Sequence, residues 1–214
     1  MALNEHHPTL TLAADMQAAA KPLFDKYNLN YFQYLTVYND GSFSLGCNRA
    51  NWSELAFRYF EKDNKPAVYS HINADQLNKN TYFFLWEPNL PEEPVKLAKD
   101  FDIANGLCFV ERHADYYNLI AFASPVSNHR AVDTYLNNLN ELMQFIKTFQ
   151  HDQKGLITQF EQAKIILPKE RHDENLGKML YQPKHKAIPV SFQGLRHYVT
   201  PQEYACLKAL ASGG

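Results

Sequence analysis

The side chains best suited to chemistry in this chain are aromatic rings that carry one polar atom. Its two tryptophans, Trp52 and Trp86, offer indole N–H donors, and thirteen tyrosines offer hydroxyls. Small-molecule pockets are mostly apolar and place a few such groups at defined points. The sequence therefore predicts a ligand-binding pocket, although aromatic residues in strands are also ordinary core residues. The candidate pocket residues are Trp52, Tyr59, Tyr34, Tyr69, Trp86 and Ser124.

Histidine and cysteine, the usual metal ligands and nucleophiles, show no such pattern. His71, His113 and His129 lie in separate segments, and none has the His-x-x-x-His spacing that places two ligands on one helical face. Cys47 and Cys108 fall in predicted strands, where a buried apolar role is more typical than a nucleophilic one. The sequence shows no nucleophile elbow, phosphate-binding glycine loop or dinucleotide fingerprint. We therefore expect no enzyme activity, no metal and no cofactor.

Composition favours one substantial domain with an appendage. The 214 residues are 45% hydrophobic and 14% aromatic, enough for a core of about 150–170 residues. No run of about 18 apolar residues occurs, and the start of the chain lacks a secretory signal, so we expect a cytoplasmic protein without a membrane span. The net charge of −2 lacks the basic excess that a free-standing nucleic-acid binder usually carries.

Periodicity indicates alternating helices and strands that could position the aromatic residues. The Asn39-Asp40-Gly41 turn predicts a hairpin between the first two strands. We predict strands at 31–38, 43–47, 82–86, 107–111 and 117–123, and helices at 8–27, from Asn51 onward, 92–101 and 130–150. Residues 168–197 carry three prolines and little periodicity, which predicts a linker.

The final segment predicts a helix with a well-marked start. Thr200 can cap the first amides, Pro201 suits the first helical position, and Glu203 can reach back to the cap. Apolar positions from Tyr204 to Ala211 lie on one face, and Gly213-Gly214 is a stop. The motifs Val199-Thr200-Pro201-Gln202-Glu203 and 207–213 resemble the first helix of the helix-turn-helix domain in LuxR-type transcription regulators. Gln202 stands where that family usually has Arg.

A second segment, Ala98 to Gly106, supports the same resemblance. It is similar to the Ala-x-x-Phe-Gly-Ile-x-x-Gly segment of the family's autoinducer-binding domain, with Asp102 in place of the usual Gly. The resemblance implies an α+β fold of the PAS/GAF-like kind, an α-β-α sandwich around a five-stranded antiparallel sheet. It also implies three regions: a sensor domain at 1–167, a linker at 168–197 and the first helix of a truncated helix-turn-helix domain at 198–214.

The ligand residues of the family are only partly present. Trp52 matches a Trp of the acyl-homoserine-lactone receptors, while Ala56 stands in the Tyr position and Tyr59 lies one turn further on. The family's Asp-Pro pair falls on Lys65-Pro66, so the carboxylate that accepts the ligand amide is lost. Because an ammonium group cannot accept a hydrogen bond, we expect a ligand other than a typical acyl-homoserine lactone, or none.

The resemblance implies the sensor portion of a transcription regulator, acting as a homodimer through the 130–150 helix or the N-terminal helix. DNA binding would then come only from the missing part of the C-terminal domain, and an end at Gly214 would reflect an engineered truncation or a shortened gene. One alternative is a stand-alone PAS/GAF-like sensor or interaction module without DNA binding. A small-molecule enzyme is the other, which clustered catalytic side chains would favour.

Overall fold

The computed structural model describes residues 3–38, 40, 42–63, 81–90, 92–166, 188–192 and 195–199. The chain forms two compact units, Met1–Leu180 and Tyr181–Gly214. The strands of the first unit are β1 (Tyr31–Tyr38), β2 (Phe43–Cys47), β3 (Thr81–Leu85), β4 (Ala104–Arg112) and β5 (Tyr116–Ser124). They form one antiparallel sheet in the order β2-β1-β5-β4-β3.

Helices cover both faces of this sheet. The helices are α1 (Pro8–Thr11), α2 (Ala13–Tyr27), α3 (Ala50–Asp63), α4 (Trp86–Asn89), α5 (Glu92–Lys99), α6 (Ala131–Asn137), α7 (Leu139–Asp152) and α8 (Lys154–Gln162). Residues of α3, α4 and α5 pack on one side, which we call the front face, and residues of α2, α6, α7 and α8 pack on the other, the back face. The predicted α-β-α sandwich around a five-stranded antiparallel sheet is confirmed.

Alternation along the strands divides the core into two halves. On β1, Tyr31, Leu35 and Val37 point to the front face, whereas Phe32 and Tyr34 point to the back face. This is the period of two expected of a strand. Because both faces lie under helices, both sets are apolar, and β1 is buried at most of its positions.

Two predicted helices are interrupted. The 8–27 segment forms α1 and α2, separated at Leu12, and the 130–150 segment forms α6 and α7, separated at Asn138. At Asn138 the side-chain Nδ2 donates to the Thr134 carbonyl at 2.7 Å, so the side chain competes for a helical acceptor. A third helix, α8, then follows where the sequence predicted none. Trp86 opens α4 rather than ending β3.

The apolar stripe of the 130–150 segment is largely used by the sheet. Tyr135, Leu142, Ile146 and Phe149 are all buried in the back-face core. Leu136, by contrast, is 50% exposed. The predicted homodimer through this segment stays a prediction.

The second unit contains a β-hairpin. Its strands β6 (Ile188–Phe192) and β7 (Leu195–Val199) pair antiparallel, from Ile188 opposite Val199 to Phe192 opposite Leu195. Most of this hairpin falls in the 168–197 range, where the sequence predicted only a linker. Its last two residues, Tyr198 and Val199, fall in the 198–214 range that was predicted to be the first helix of a helix-turn-helix domain. The rest of that range, 200–214, lies outside the described residues.

Candidate functional site

The centre of the front face is floored by small side chains. Cys108 on β4 pairs with Ala121 on β5, and Ala123 lies two residues further along β5 on the same face. Larger side chains flank this floor, with Phe84 opposite Cys108 on β3 and Gln33 opposite Ala121 on β1. We call these small side chains, which lie between larger ones on the neighbouring strands, the floor of the front face.

Trp86 borders this floor on the β3 side. Its ring lies so close to the β4 backbone that a Cβ built on Gly106 would be 2.0 Å from the indole Cδ2. A register shift between Ala104 and Leu107 marks an irregularity in β4 at this point. The indole Nε1 donates to Cys108 Sγ at 3.2 Å. Two features therefore fix the position of Trp86: the absence of a side chain at Gly106, against which the indole packs, and the hydrogen bond to Cys108.

Tyr31 lies beside Trp86 and joins the two tryptophans. It is 1% exposed, and its hydroxyl donates to Gln33 Oε1 at 2.7 Å. Its ring meets Trp86 edge-on with centroids 6.0 Å apart. Burial raises the pKa of Tyr31, and a hydrogen bond from the Trp52 side chain opposes that shift. Tyr31 is therefore a neutral residue whose hydroxyl contacts the Trp52 side chain and whose ring contacts Trp86.

Trp52 approaches the same face from α3. It is partly buried against the front-face core, and its ring meets Phe101 edge-on at 5.6 Å between centroids. The structure thus brings together two of the predicted pocket residues, Trp52 and Trp86, around a third, Tyr31, that the sequence did not single out. The sequence feature that could have identified Tyr31 is its position on β1. It lies two residues before the polar Gln33, so the two side chains share one face of the sheet.

Two further tyrosines lie toward the other end of the front face. Tyr82 on β3 is 8% exposed, and Tyr117 on β5 is partly buried against the same core. Both hydroxyl oxygens are buried and have no hydrogen-bond partner among the residues that the structure describes. Burial raises the pKa of each phenol above its ordinary value, and Tyr82 raises that of Tyr117 further. Both hydroxyls are therefore neutral and able to donate.

The two cysteines of the front face are inert at neutral pH. Cys47 and Cys108 are free thiols and, as predicted, buried. Burial raises the pKa of the Cys47 thiol and raises that of Cys108 to about 12. Since the thiolate is the reactive form, this environment disfavours a nucleophilic role for either residue.

The structure places two other predicted pocket residues away from Trp52. Tyr34 and Ser124 belong to the alternate positions of β1 and β5, which face the back of the sheet. The Tyr34 hydroxyl accepts from Gln150 Nε2 at 3.3 Å, and Ser124, fully buried, accepts from Asn105 Nδ2 at 3.1 Å. These two residues cannot share one front-face pocket with Trp52, because strand neighbours of opposite parity point to opposite faces.

The structure does not describe the side chains of the remaining predicted pocket residues. Tyr59 lies within α3, but its side chain, Tyr69 and the Lys65-Pro66 pair fall outside the described residues. Their part in ligand binding stays a prediction.

Tyr34 instead borders a polar groove on the back of the sheet. The groove, about 930 Å³ in volume, runs between the β4–β5 hairpin and helices α7 and α8. Within it Glu111 Oε2 accepts from Gln150 Nε2 at 2.6 Å and from Asn118 Nδ2 at 3.3 Å. Glu111, Gln150 and Asn118 thus form a polar network within the groove.

Among the described residues, no three His, Cys, Asp or Glu side chains gather as a metal site would require. Within the same part of the chain, no helix is both long enough and apolar enough to cross a bilayer.

These features define a class of molecule: an α+β sandwich with an aromatic, weakly polar face under three helices. Among solved structures, the chain is similar to SdiA of Escherichia coli at 13% identity, covering 95% of this chain and 71% of that one, with a TM-score of 0.45. It is also similar to SdiA in complex with octanoyl-rac-glycerol, at 13% identity, 94% and 71% coverage and a TM-score of 0.42. Neither a protein-family model nor a curated protein sequence matches the chain. Likenesses this remote leave the function to be argued from the chain's own residues.

Proposed function

We propose that this chain is the sensor portion of a LuxR-type transcription regulator that binds a small signal molecule on the front face. Occupancy of that site would control DNA binding by a helix-turn-helix domain that begins within 198–214. The observation that carries the proposal is the contact of the buried Tyr31 with both tryptophans, through its hydroxyl with Trp52 and through its ring with Trp86, beside a floor of small side chains.

The chemistry of this face suits a neutral, largely apolar ligand. Indole and phenol rings offer flat apolar surface together with one donor each. The front-face core consists of apolar and aromatic residues, with Gln33 beside Tyr31 as its nearest amide. Burying a charged ligand there without a partner would cost several kcal/mol. The proposal is therefore a neutral amphipathic molecule whose polar end meets Tyr31, Gln33 and the two indoles.

The proposed ligand differs from a typical acyl-homoserine lactone. Lys65 stands where the family places the carboxylate that accepts the ligand amide, and an ammonium group is only a donor. A ligand whose polar end carries no amide N–H has no donor that would need an acceptor at residue 65. The other proposed properties are a cytoplasmic location, a homodimer and no partner besides the signal molecule and DNA.

The two tryptophans give this proposal a direct test. The chain contains only Trp52 and Trp86, and both belong to the front face, so a ligand bound there should change the intrinsic fluorescence of the protein. We would first record native mass spectra of the purified chain for a retained molecule. We would then titrate the delipidated protein with neutral acyl compounds, among them octanoyl-glycerol and fatty alcohols.

Trp52→Phe and Trp86→Phe variants assign the signal. A front-face ligand should alter the emission of each single-tryptophan variant at the same ligand concentration. Binding that leaves both tryptophans unchanged would place the ligand elsewhere. If no retained molecule is found and no compound of the panel binds, the sensor proposal fails.

A further inference from the structure

The hydroxyls of Tyr82 and Tyr117 are two buried polar groups of the front face that the proposed polar end of the ligand does not use. The Tyr82 side chain is more than nine-tenths buried, and its hydroxyl has no hydrogen-bond partner among the described residues; the same holds for the Tyr117 hydroxyl. Leaving a buried hydroxyl unpaired typically costs more than a hydrogen bond contributes. Two such groups on one face therefore point to an acceptor that the described residues do not provide there.

The two tyrosines are near neighbours on the front face. Tyr82 pairs with Val110, which in turn pairs with Leu119 on β5, two residues from Tyr117. Because residues two apart on a strand share a face, all four side chains point to the front. The electrostatic influence of Tyr82 on the Tyr117 hydroxyl agrees with this closeness.

The tyrosine pair lies away from the polar end proposed above. Tyr82 precedes Trp86 by four residues, and Tyr117 precedes Ala121 by four, so each separation is about 13 Å along the strand. Between these points lie Val110, Leu119 and the small floor residue Cys108. A molecule that contacts both ends must have an apolar body across the floor and oxygen atoms near each end.

We propose that Tyr82 and Tyr117 bind a second neutral oxygen of the ligand, a hydroxyl or keto group on its apolar body about 10–13 Å from the polar end. This inference rests on the proposed function and specifies the class of ligand. A neutral oxygen fits better than a carboxylate, because Val110 and Leu119, the buried neighbours of the two phenols, are apolar and would desolvate a charge. Arg112, which pairs with Tyr117 on the same face, is exposed. Tyr82 and Tyr117 would favour ligands whose apolar chain carries a hydroxyl or keto group over ligands whose chain carries none.

A pair of matched probes tests this proposal. 1-Decanol and 1,10-decanediol share one chain and differ only by a terminal hydroxyl. We expect the wild-type chain to bind the diol about three- to tenfold more tightly than the alcohol, the range that one neutral hydrogen bond supplies. Tyr82→Phe and Tyr117→Phe should each reduce that preference, and the double variant should abolish it. Tyr135→Phe, which removes a buried hydroxyl from the back-face core, is the matched control and should keep the preference.

Stability without any probe provides an independent readout. Because neither hydroxyl has a described partner, Tyr82→Phe and Tyr117→Phe should leave the midpoint of urea unfolding unchanged or raised. A clear loss of stability in either variant would show that the hydroxyl serves the fold, and would overturn the proposal.

The binding outcomes separate the two proposals. If both probes bind equally to wild type, or if the tyrosine variants keep the preference for the diol, the tyrosine inference is wrong while the sensor proposal stands. If neither probe binds and no retained molecule is found, the sensor proposal fails and the inference fails with it.

Discussion

Trp86 lies on the bare backbone of Gly106. A Cβ at residue 106 would be 2.0 Å from the indole Cδ2 and 2.2 Å from Cε2, distances that no real side chain allows. Gly106, the last residue of the Ala98–Gly106 segment, thus leaves space for the indole. The indole lies at the edge of the front-face floor and donates to Cys108.

Gly106→Ala should therefore displace Trp86. We expect a destabilisation of about 1–3 kcal/mol, the usual cost of forcing an extra carbon into a packed site, together with a change in tryptophan emission. Urea unfolding followed by fluorescence measures both. Gly155→Ala is the matched control, because a Cβ there would meet nothing within 4 Å and alanine is the better helix former, by up to about 1 kcal/mol. Equal effects of the two substitutions on stability would contradict the close packing of Trp86 on Gly106.

Asp102 adopts a left-handed backbone conformation that its own side chain stabilises. Its backbone φ is 57°, in the region where only glycine is unstrained. The Asp side chain compensates, because Oδ1 accepts from the Val126 amide at 2.9 Å. Asn30 Nδ2 donates to the Asp102 carbonyl at 2.5 Å. Asp is also one of the few residue types that enter this region readily.

Asp102→Ala should accordingly destabilise the protein more than Asp102→Gly. Both lose the bond to Val126, but alanine keeps the backbone strain that glycine relieves, a difference of about 1 kcal/mol. Thermal or urea unfolding of the two variants side by side provides the measurement. An alanine variant as stable as the glycine variant would mean that the left-handed conformation is not retained in solution.

His7 connects the N-terminal helix to the end of α8. Its Nδ1 accepts from the Thr9 amide at 3.2 Å and its Nε2 donates to the Ala163 carbonyl at 2.9 Å. The bond from Thr9 requires an unprotonated Nδ1, whereas the bond to Ala163 survives protonation. Burial lowers the pKa of His7 below its ordinary value of 6.5, and the bond to Ala163 only partly opposes this. The folded state therefore binds the proton more weakly than the unfolded chain does.

The contribution of His7 to stability should be complete above about pH 6.5 and should fall as the pH drops through the lowered folded pKa. His7→Ala should cost about 1 kcal/mol at pH 7.5, as the loss of a helix cap does. The gap between wild type and variant should shrink toward pH 5. Because the chain contains nine histidines, the measured quantity is the difference between the unfolding midpoints of wild type and variant, and a gap that stays constant would refute this role.

The sequence predicted the five strands well because strand periodicity and turn residues are local signals, whereas the arrangement in layers was implied only by the family resemblance. The sequence could not assign a face to each aromatic residue of the pocket. In a sheet covered on one side only, polar residues mark the solvent face, but β1 is buried on both faces, so the sequence does not distinguish Tyr31 from Tyr34. The break at Asn138 depends on one side-chain bond to Thr134, and a periodic stripe cannot reveal it. The hairpin of β6 and β7 was missed because Pro189 and the surrounding prolines indicate a linker.

Lys65 provides the last prediction. In the aligned family position a carboxylate accepts the ligand amide, and a charge-assisted bond of this kind is worth about 1.5–3 kcal/mol, or at least tenfold in affinity. Lys65→Asp should therefore raise the affinity of the chain for N-octanoyl-homoserine lactone by about tenfold or more. Lys65→Ala removes the ammonium group without adding an acceptor. It therefore measures how much of the increase in affinity comes from removing the charge alone, and we expect a smaller increase than for Lys65→Asp. Calorimetric titration of the three proteins makes the comparison. Nanomolar binding of the lactone by the wild-type chain would show that residue 65 is not the aligned position, and that the amide is read by another group.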